Sequence, residues 1–170
     1  MAYCLPADID IPLTELVQLC DDSVPLIVTV EMLTAALAGG SLAAYPIAAQ
    51  AATALVVSRI NKSIADAGEL IDGYVSGRYQ VPMTAVPSLI KTIAVDLTLY
   101  KLYMRRKKKA VPEMVQKAYD NSTKLLRDIQ SNKIAIGATP TGQTIPTATT
   151  SAAVFTSEDR VCSRNSMRDL

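Results

Sequence analysis

Apolar residues recur at spacings of three and four over three long stretches of the chain, which is the period of one helix face. We predict one helix from Ile47 to Gly77, a second that begins at Pro87, and a third from Pro112 to about Asn132. Gly77 can adopt the left-handed conformation that ends the first helix. The apolar face of the first helix is Val56, Ile60, Ile64, Ala67, Ile71 and Tyr74, and that of the second is Ile90, Ile93, Leu97, Tyr100 and Met104. The third helix is marked by Val115, Ala118, Ser122, Leu125 and Ile129.

These patterns predict a mostly α-helical protein, a bundle of three to four helices. A short additional helix is predicted near the N-terminus, with Pro12 in its first turn. Its apolar face is Leu13, Leu16, Val17 and Cys20. The predicted core of the bundle includes Ile64, Ile71, Tyr74, Ile93, Leu97 and Tyr100.

Residues 24–57 carry one charged side chain, that of Glu31. Residues 24–30 predict a strand or an extended arm, and residues 31–38 predict a helix that is broken by two glycines. A membrane-spanning helix needs about 20 strongly apolar residues, whereas this stretch contains Pro25, Pro46 and many alanines. We therefore predict a buried or subunit-facing segment and no membrane span.

The last fifth of the chain differs in composition from the rest. Residues 138–153 are rich in Thr, Pro, Gly and Ala and have no charge, a composition that buries too little apolar surface to order itself. Charge returns in residues 158–170, where Arg160, Arg164 and Arg168 recur every four residues and would share one face of a helix. We predict a linker over residues 137–157 and then a tail that either docks on a partner or frays.

Little in the sequence supports catalysis. The chain has no His, and its three Cys are far apart. The sequence therefore predicts neither a Cys-x-x-Cys zinc-binding pair nor a cysteine nucleophile activated by a histidine. Asp66, Glu69 and Asp72 recur every three residues, and we interpret them as a solvated helix face, not as an acid–base or metal site. The sequence predicts a protein that is not an enzyme and that has no catalytic residues, cofactor or metal.

Positive charge is concentrated in one run although the net charge is only +1. The run is Arg105, Arg106, Lys107, Lys108 and Lys109, and without it 12 basic residues face 16 acidic ones. Such a run between two helices is usually a solvated loop, but it could also contact DNA or an acidic partner surface.

A second candidate contact joins Arg78 and Asp96, which come from neighbouring predicted helices. The two could form a buried pair that fixes the angle between the helices; the alternative is that both side chains reach solvent.

Several short segments carry a recognisable pattern. In the first half they are Met1-Ala-Tyr3, Glu15-Leu-Val-Gln-Leu19, Glu69-Leu-Ile-Asp-Gly-Tyr74, Gly77-Arg-Tyr79 and Val86-Pro87. In the second half they are Ala94-Val-Asp-Leu97, Tyr100-Lys-Leu-Tyr103, Leu125-Leu-Arg-Asp-Ile129 and Arg160-Val-Cys-Ser-Arg-Asn-Ser-Met-Arg168. Together they resemble a family of small neck proteins of Mu-like phages and prophages, over residues 1–22, 58–136 and 158–169.

The resemblance implies a structural virion protein, similar in plan to head–tail connector adaptors. Such a protein forms a homo-oligomeric ring, of twelve copies, beneath the portal protein and extends the DNA channel towards a stopper or tail-completion protein. Genomic DNA passes through the lumen without sequence-specific binding, and no membrane is involved. The implied location is the virion neck, after assembly in the bacterial host cytoplasm. Because the C-terminal segment of such adaptors docks on the portal, the resemblance gives that role to Arg160, Val161, Arg164, Met167 and Arg168.

The chain departs from the family pattern between Asp22 and Ser58. The extra residues predict an inserted extended arm or hairpin at about 23–57 that contacts a neighbouring subunit or the next ring. The predicted organisation is therefore a helical adaptor domain over residues 1–136 with this insertion, a linker, and an extended C-terminal docking tail. Two other functions stay open: a small membrane-active, holin-like phage protein resting on residues 24–57, and a DNA-binding module using the basic run.

Overall fold

A computed structural model of the protein describes residues 2–106 and 110–138. This part of the chain contains five α-helices and no strand, so the predicted mostly helical class is confirmed. The helices are α1 (Leu13–Cys20), α2 (Val30–Leu37), α3 (Ile47–Val75), α4 (Ser88–Arg105) and α5 (Glu113–Gln130), and a single 3-10 turn (Pro6–Asp8) precedes them. The three long helices match the three predicted stretches.

Four of the five helices begin directly after a proline. Proline fixes its own φ and lacks the N–H that a first helical turn would leave unbonded, so it costs little at this position. The carbonyl oxygens of Pro46, Pro87 and Pro112 accept the first helical hydrogen bonds of α3, α4 and α5. The exception is α2, where the side chain of Thr29 accepts a hydrogen bond from the backbone N–H of Met32.

Helix α3 is the centre of the bundle, about 43 Å long at 1.5 Å per residue, and it packs against each of the other four helices. One face of α3 is buried throughout, at spacings of four and three. The buried apolar residues of this face are Ala49, Val56, Ile60, Ile64, Ala67, Ile71 and Val75. The single hydrophobic core that results joins α3 to α4 and α5 on one side and to α1 and α2 on another.

Of the residues predicted for the core, Ile64, Ile71, Ile93 and Leu97 are buried. Tyr74 and Tyr100 are only partly buried, and Tyr100 stacks on Tyr119 of α5 with ring centroids 3.9 Å apart. The buried face of α3 continues to Val75, and that of α4 turns towards Ala94, Thr98 and Leu102, which leaves Met104 half exposed.

The segment predicted to be an inserted arm or hairpin has a different structure. Residues 23–29 form a loop, α2 follows it, and α3 then starts at Ile47 as predicted. Val28, Met32 and Leu33 are buried, so α2 packs into the bundle, whereas residues 24–27 of the loop before it are exposed. The left-handed cap predicted at Gly77 is also wrong: the left-handed residues in the described part are Asn132 after α5 and the glycines Gly39 and Gly137.

Candidate functional site

Arg78 lies just after α3 and fastens the end of α5. Its Nη1 donates to the carbonyl oxygens of Ile134, at 3.1 Å, and of Ile129, at 3.4 Å. Its guanidinium carbon also lies 5.1 Å from the ring centroid of Tyr79. A cation among the last carbonyls of a helix is favoured by the helix dipole, so Arg78 holds the C-terminal end of α5 against the turn that follows α3.

Asp96 has a different partner from the one predicted. Its carboxylate accepts a hydrogen bond of 2.7 Å from the hydroxyl of Ser122, which is buried in the α4–α5 contact. Asp96 and Arg78, both in the described part of the chain, form no ion pair with each other. The predicted pair is therefore absent, because α5 gives each of the two side chains a partner of its own.

The first two residues of the basic run are directed into the protein. Arg105 donates to the carbonyl oxygen of Leu19 at 2.6 Å and forms a two-pronged contact with the Asp22 carboxylate at 2.8 and 2.9 Å. Arg106 donates to the carbonyl oxygens of Gln18, Leu19 and Asp21. Lys107, Lys108 and Lys109 lie outside the described residues. A DNA contact by Arg105 or Arg106 would compete with these bonds.

A third arginine reaches the same place from α3. Arg59 lies 2.8 Å from the Asp22 carboxylate and donates to the carbonyl oxygen of Cys20. Arginines from α3 and α4 therefore converge on the C-terminal end of α1, where unpaired carbonyls and the helix dipole attract positive charge. Hydrogen bonding to Arg105 lowers the pKa of Asp22 from its usual value, although partial burial opposes this effect. We call Arg59, Arg105, Arg106 and Asp22 the arginine cluster.

The arginine cluster should contribute measurably to stability. Arg106→Ala is expected to lower the free energy of unfolding by about 1 to 2 kcal/mol, because three carbonyl acceptors lose a charged donor. Urea denaturation followed by circular dichroism measures this loss. Replacing the exposed Lys124 by alanine is the control and should change stability by less than about 0.5 kcal/mol. Equal midpoints for Arg106→Ala and wild type would show that the cluster does not hold α1.

The loop after α1 is organised around a buried carboxylate. Asp21 is 2% exposed and accepts backbone hydrogen bonds from Ser23 at 2.9 Å and from Ile27 and Val28 at 3.0 Å. Burial alone would raise the pKa of the Asp21 carboxyl, but the N–H donors outweigh burial and lower it. The loop therefore has a defined shape, set by a residue that the sequence pattern did not single out.

This loop presents apolar side chains to solvent. Val24 is 98% exposed, Leu26 48% and Ile27 41%, and Pro25 between them is also exposed. We call residues 24–27 the apolar loop. A run of consecutive exposed apolar residues is unusual in a surface loop, and such a patch is typical of a surface that binds another protein or a membrane.

Helix α3 also has an exposed apolar face in its first half. Ile47, Ala51 and Leu55 are exposed at spacings of four, and no charged residue occurs between Met32 and Ser58. Beside this face lies a shallow groove of about 540 Å³, which we call the α2–α3 groove. It is lined by Ala36, Gly40, Leu42, Ala54, Val57, Ser58 and Asn61. Hydrophobic periodicity could have indicated this face, since apolar residues surround α3 on more than one side here.

Of the three acidic residues predicted to form a solvated face of α3, Asp66 and Asp72 contact other side chains and Glu69 is exposed. The two described cysteines, Cys4 and Cys20, are both buried. Asp66 lies 3.4 Å from Lys62, and Asp72 accepts a hydrogen bond from the Tyr3 hydroxyl. Burial raises the pKa of the Cys20 thiol to about 11, and the opposing effect of the neighbouring arginines is smaller. The thiol is therefore protonated at neutral pH. Among the described residues no three acidic or cysteine side chains are grouped closely enough to hold a metal.

Two further predictions concern other parts of the chain. The predicted docking tail, with Arg160, Val161, Arg164, Met167 and Arg168, lies outside the described residues. Within residues 2–106 and 110–138, no helix combines the length and the apolar character that crossing a membrane requires.

The described residues define a small all-helical bundle protein with exposed, uncharged apolar surfaces. The sequence profile of the family described as "Bacteriophage Mu, Gp36" matches residues 3–155. The Mu-like prophage FluMu protein gp36 of Haemophilus influenzae (strain ATCC 51907 / DSM 11121 / KW20 / Rd) is 23% identical over 117 residues, which are 69% of this chain and 79% of that protein. The chain belongs to the Bacteriophage Mu gp36 family, which implies a structural or morphogenesis protein of a Mu-like phage.

Proposed function

We propose that this protein is a head–tail connector, a structural adaptor and not an enzyme, at the neck of a phage or prophage particle. In this proposal its copies form a ring, of twelve, under the portal protein, and the ring continues the DNA channel to a stopper or tail-completion protein. Tail residues 158–170 dock on the portal. Assembly takes place in the host cytoplasm.

One observation carries the proposal beyond family membership. The chain exposes apolar side chains on an ordered loop and on α3, within a segment almost without charge. Exposing such a surface costs free energy in water, which supports an assembly in which other protein surfaces cover it. Among the described residues, the candidate polar side chains of Arg78, Arg105 and Asp96 form hydrogen bonds that hold helices together. A scaffold that assembles with partners accounts for both features.

The direct test is made on phage particles. Deletion of the gene is expected to give filled heads and complete tails that do not join, visible by negative-stain electron microscopy, with infectious titre reduced at least about a thousandfold. Deleting only residues 158–170 should give the same particles while the purified protein keeps its helical circular dichroism spectrum. The matched control replaces Lys124, an exposed residue of α5, by alanine and should leave the titre unchanged. A reconstruction of the wild-type neck should show the ring next to the portal.

Other outcomes would contradict the connector proposal. Joined heads and tails in the deletion strain, or wild-type particles that lack the protein by mass spectrometry, would reject it. Recovery of the protein in washed host membranes would favour the holin-like function instead. Salt-dependent DNA binding by the isolated chain, lost when Lys107, Lys108 and Lys109 are changed to alanine, would favour the DNA-binding function.

A further inference from the structure

We propose that the apolar loop of one copy docks into the α2–α3 groove of the next copy, so that the contact between subunits runs head to tail. This inference rests on the proposed ring and names the two surfaces that form it. The loop and the groove are both exposed, both lack charged residues, and both belong to the segment of residues 24–61. The groove has polar residues, Ser58 and Asn61, beside apolar ones. Docking would remove from water the apolar side chains of the loop together with those of the groove, which are Ala36, Leu42, Ala54 and Val57.

The positions of the two surfaces favour a second copy as the occupant. The apolar loop follows Asp22, which is bound to Arg59. The groove is lined by Asn61, two residues further along α3. Because each residue turns an α-helix by about 100°, Arg59 and Asn61 lie on flanks about 160° apart. Asp22, which anchors the start of the loop, and the groove therefore lie on different flanks of α3. A contact between two different patches repeats from copy to copy, and it closes into a ring or grows into a filament.

The apolar loop is preorganised in the single chain. The buried Asp21 carboxylate holds the backbone of Ser23, Ile27 and Val28 by three hydrogen bonds, so little conformational entropy is lost when the loop is covered. The groove is also formed in the single chain, between the end of α2 and α3. At Asn61 it meets a second hollow of about 320 Å³ that continues along α3 towards Ala65, with the exposed Leu5 on its other wall.

The contact between two copies is expected to be weak by itself. A four-residue loop in a shallow groove covers less than the roughly 1,600 Å² of a standard protein interface. We therefore expect monomers in dilute solution and concentration-dependent assembly towards the millimolar range, with closure of the ring adding stability that a single contact lacks.

A charge placed on either surface should block assembly, because an unpaired charge would be buried in the contact. Val24→Asp on the loop and Ala54→Glu in the groove are each expected to raise the apparent dissociation constant at least about tenfold, measured by sedimentation velocity on the full chain. Both side chains are exposed, so circular dichroism should show unchanged folding. Met114→Asp is the matched control: Met114 is 78% exposed on α5, outside both surfaces, and this variant should assemble as wild type does.

Mixing the two variants tests the direction of the contact. A Val24→Asp copy keeps an intact groove, and an Ala54→Glu copy keeps an intact loop, so an equimolar mixture should form one-to-one pairs that cannot grow. Sedimentation equilibrium at millimolar total concentration should show a species of twice the 18.2 kDa of one chain, absent from either variant alone. A mixture without this species, variants that assemble as wild type does, or a wild-type chain still monomeric at millimolar concentration would overturn the inference.

The connector proposal fails or survives separately, because the particle test does not depend on which surfaces touch. Neck particles that contain the protein in a ring with other surfaces in contact would reject the docking geometry and leave the function intact. A chain that pairs through the loop and the groove but is absent from particles would reject the connector function and leave the docking geometry intact.

Discussion

Replacing Asp21 by asparagine is expected to lower the free energy of unfolding by about 2 to 4 kcal/mol. The carboxylate is buried and serves three backbone N–H groups through two oxygens. An amide keeps only one oxygen and turns an NH₂ towards the donors, so buried donors lose their acceptor. Urea denaturation at neutral pH measures the loss, and replacing the exposed Asp10 by asparagine should have little effect.

The Asp21 variant also has a characteristic pH dependence. The pKa of Asp21 is lowered in the folded state, so its charge stabilises the fold above the unfolded value of about 3.9. That contribution disappears as pH falls through the lower folded pKa. The stability difference between wild type and Asp21→Asn should therefore be constant from pH 5 upward to neutrality and shrink below about pH 4. A difference that stays constant in acid would show that Asp21 acts by packing and not through its charge.

Ile60→Ala is expected to cost about 3 kcal/mol, because Ile60 is completely buried in the middle of α3 and its removal leaves a cavity in the core. Leu55→Ala, five residues away on the same helix, removes a side chain that is 56% exposed. It should change stability by less than about 0.5 kcal/mol, since alanine also favours helix formation. Urea denaturation of both variants makes the comparison.

The pair of variants separates the two faces of α3. A large loss at Ile60 with none at Leu55 would show that the exposed apolar face contributes nothing to the fold of one chain. Similar losses at both positions would mean that the exposed face is covered within the chain itself, which would leave no free surface beside the α2–α3 groove.

The helices could be predicted well from the sequence because local signals determine them. Pro46, Pro87 and Pro112 mark three helix starts, and the alternation of threes and fours gives the buried face as far as Ile71. The prediction of a strand or arm over residues 24–30 failed for a different reason. Among the described residues no strand pairs with its β-branched residues, and a single carboxylate, Asp21, accepts the hydrogen bonds of the loop backbone.

The contacts between helices could not be predicted from periodicity. The predicted pair of Arg78 and Asp96 is wrong because the path of α5 across α3 and α4 is not visible in the sequence, and that path puts Ser122 next to Asp96. The basic run was similarly ambiguous. A sequence shows that Arg105 and Arg106 are adjacent and positive, but their acceptors are carbonyls of residues more than 80 positions earlier in the chain.

The arginine cluster has a consequence for the order in which the protein comes apart. Helix α1 has eight residues, too few for an isolated helix to persist in water. Its last carbonyls are held by arginines that α3 and α4 supply. We therefore expect the N-terminal helix to open together with the pairing of α3 and α4 and not by fraying alone, which hydrogen exchange of the α1 amides would show as protection close to that of α3.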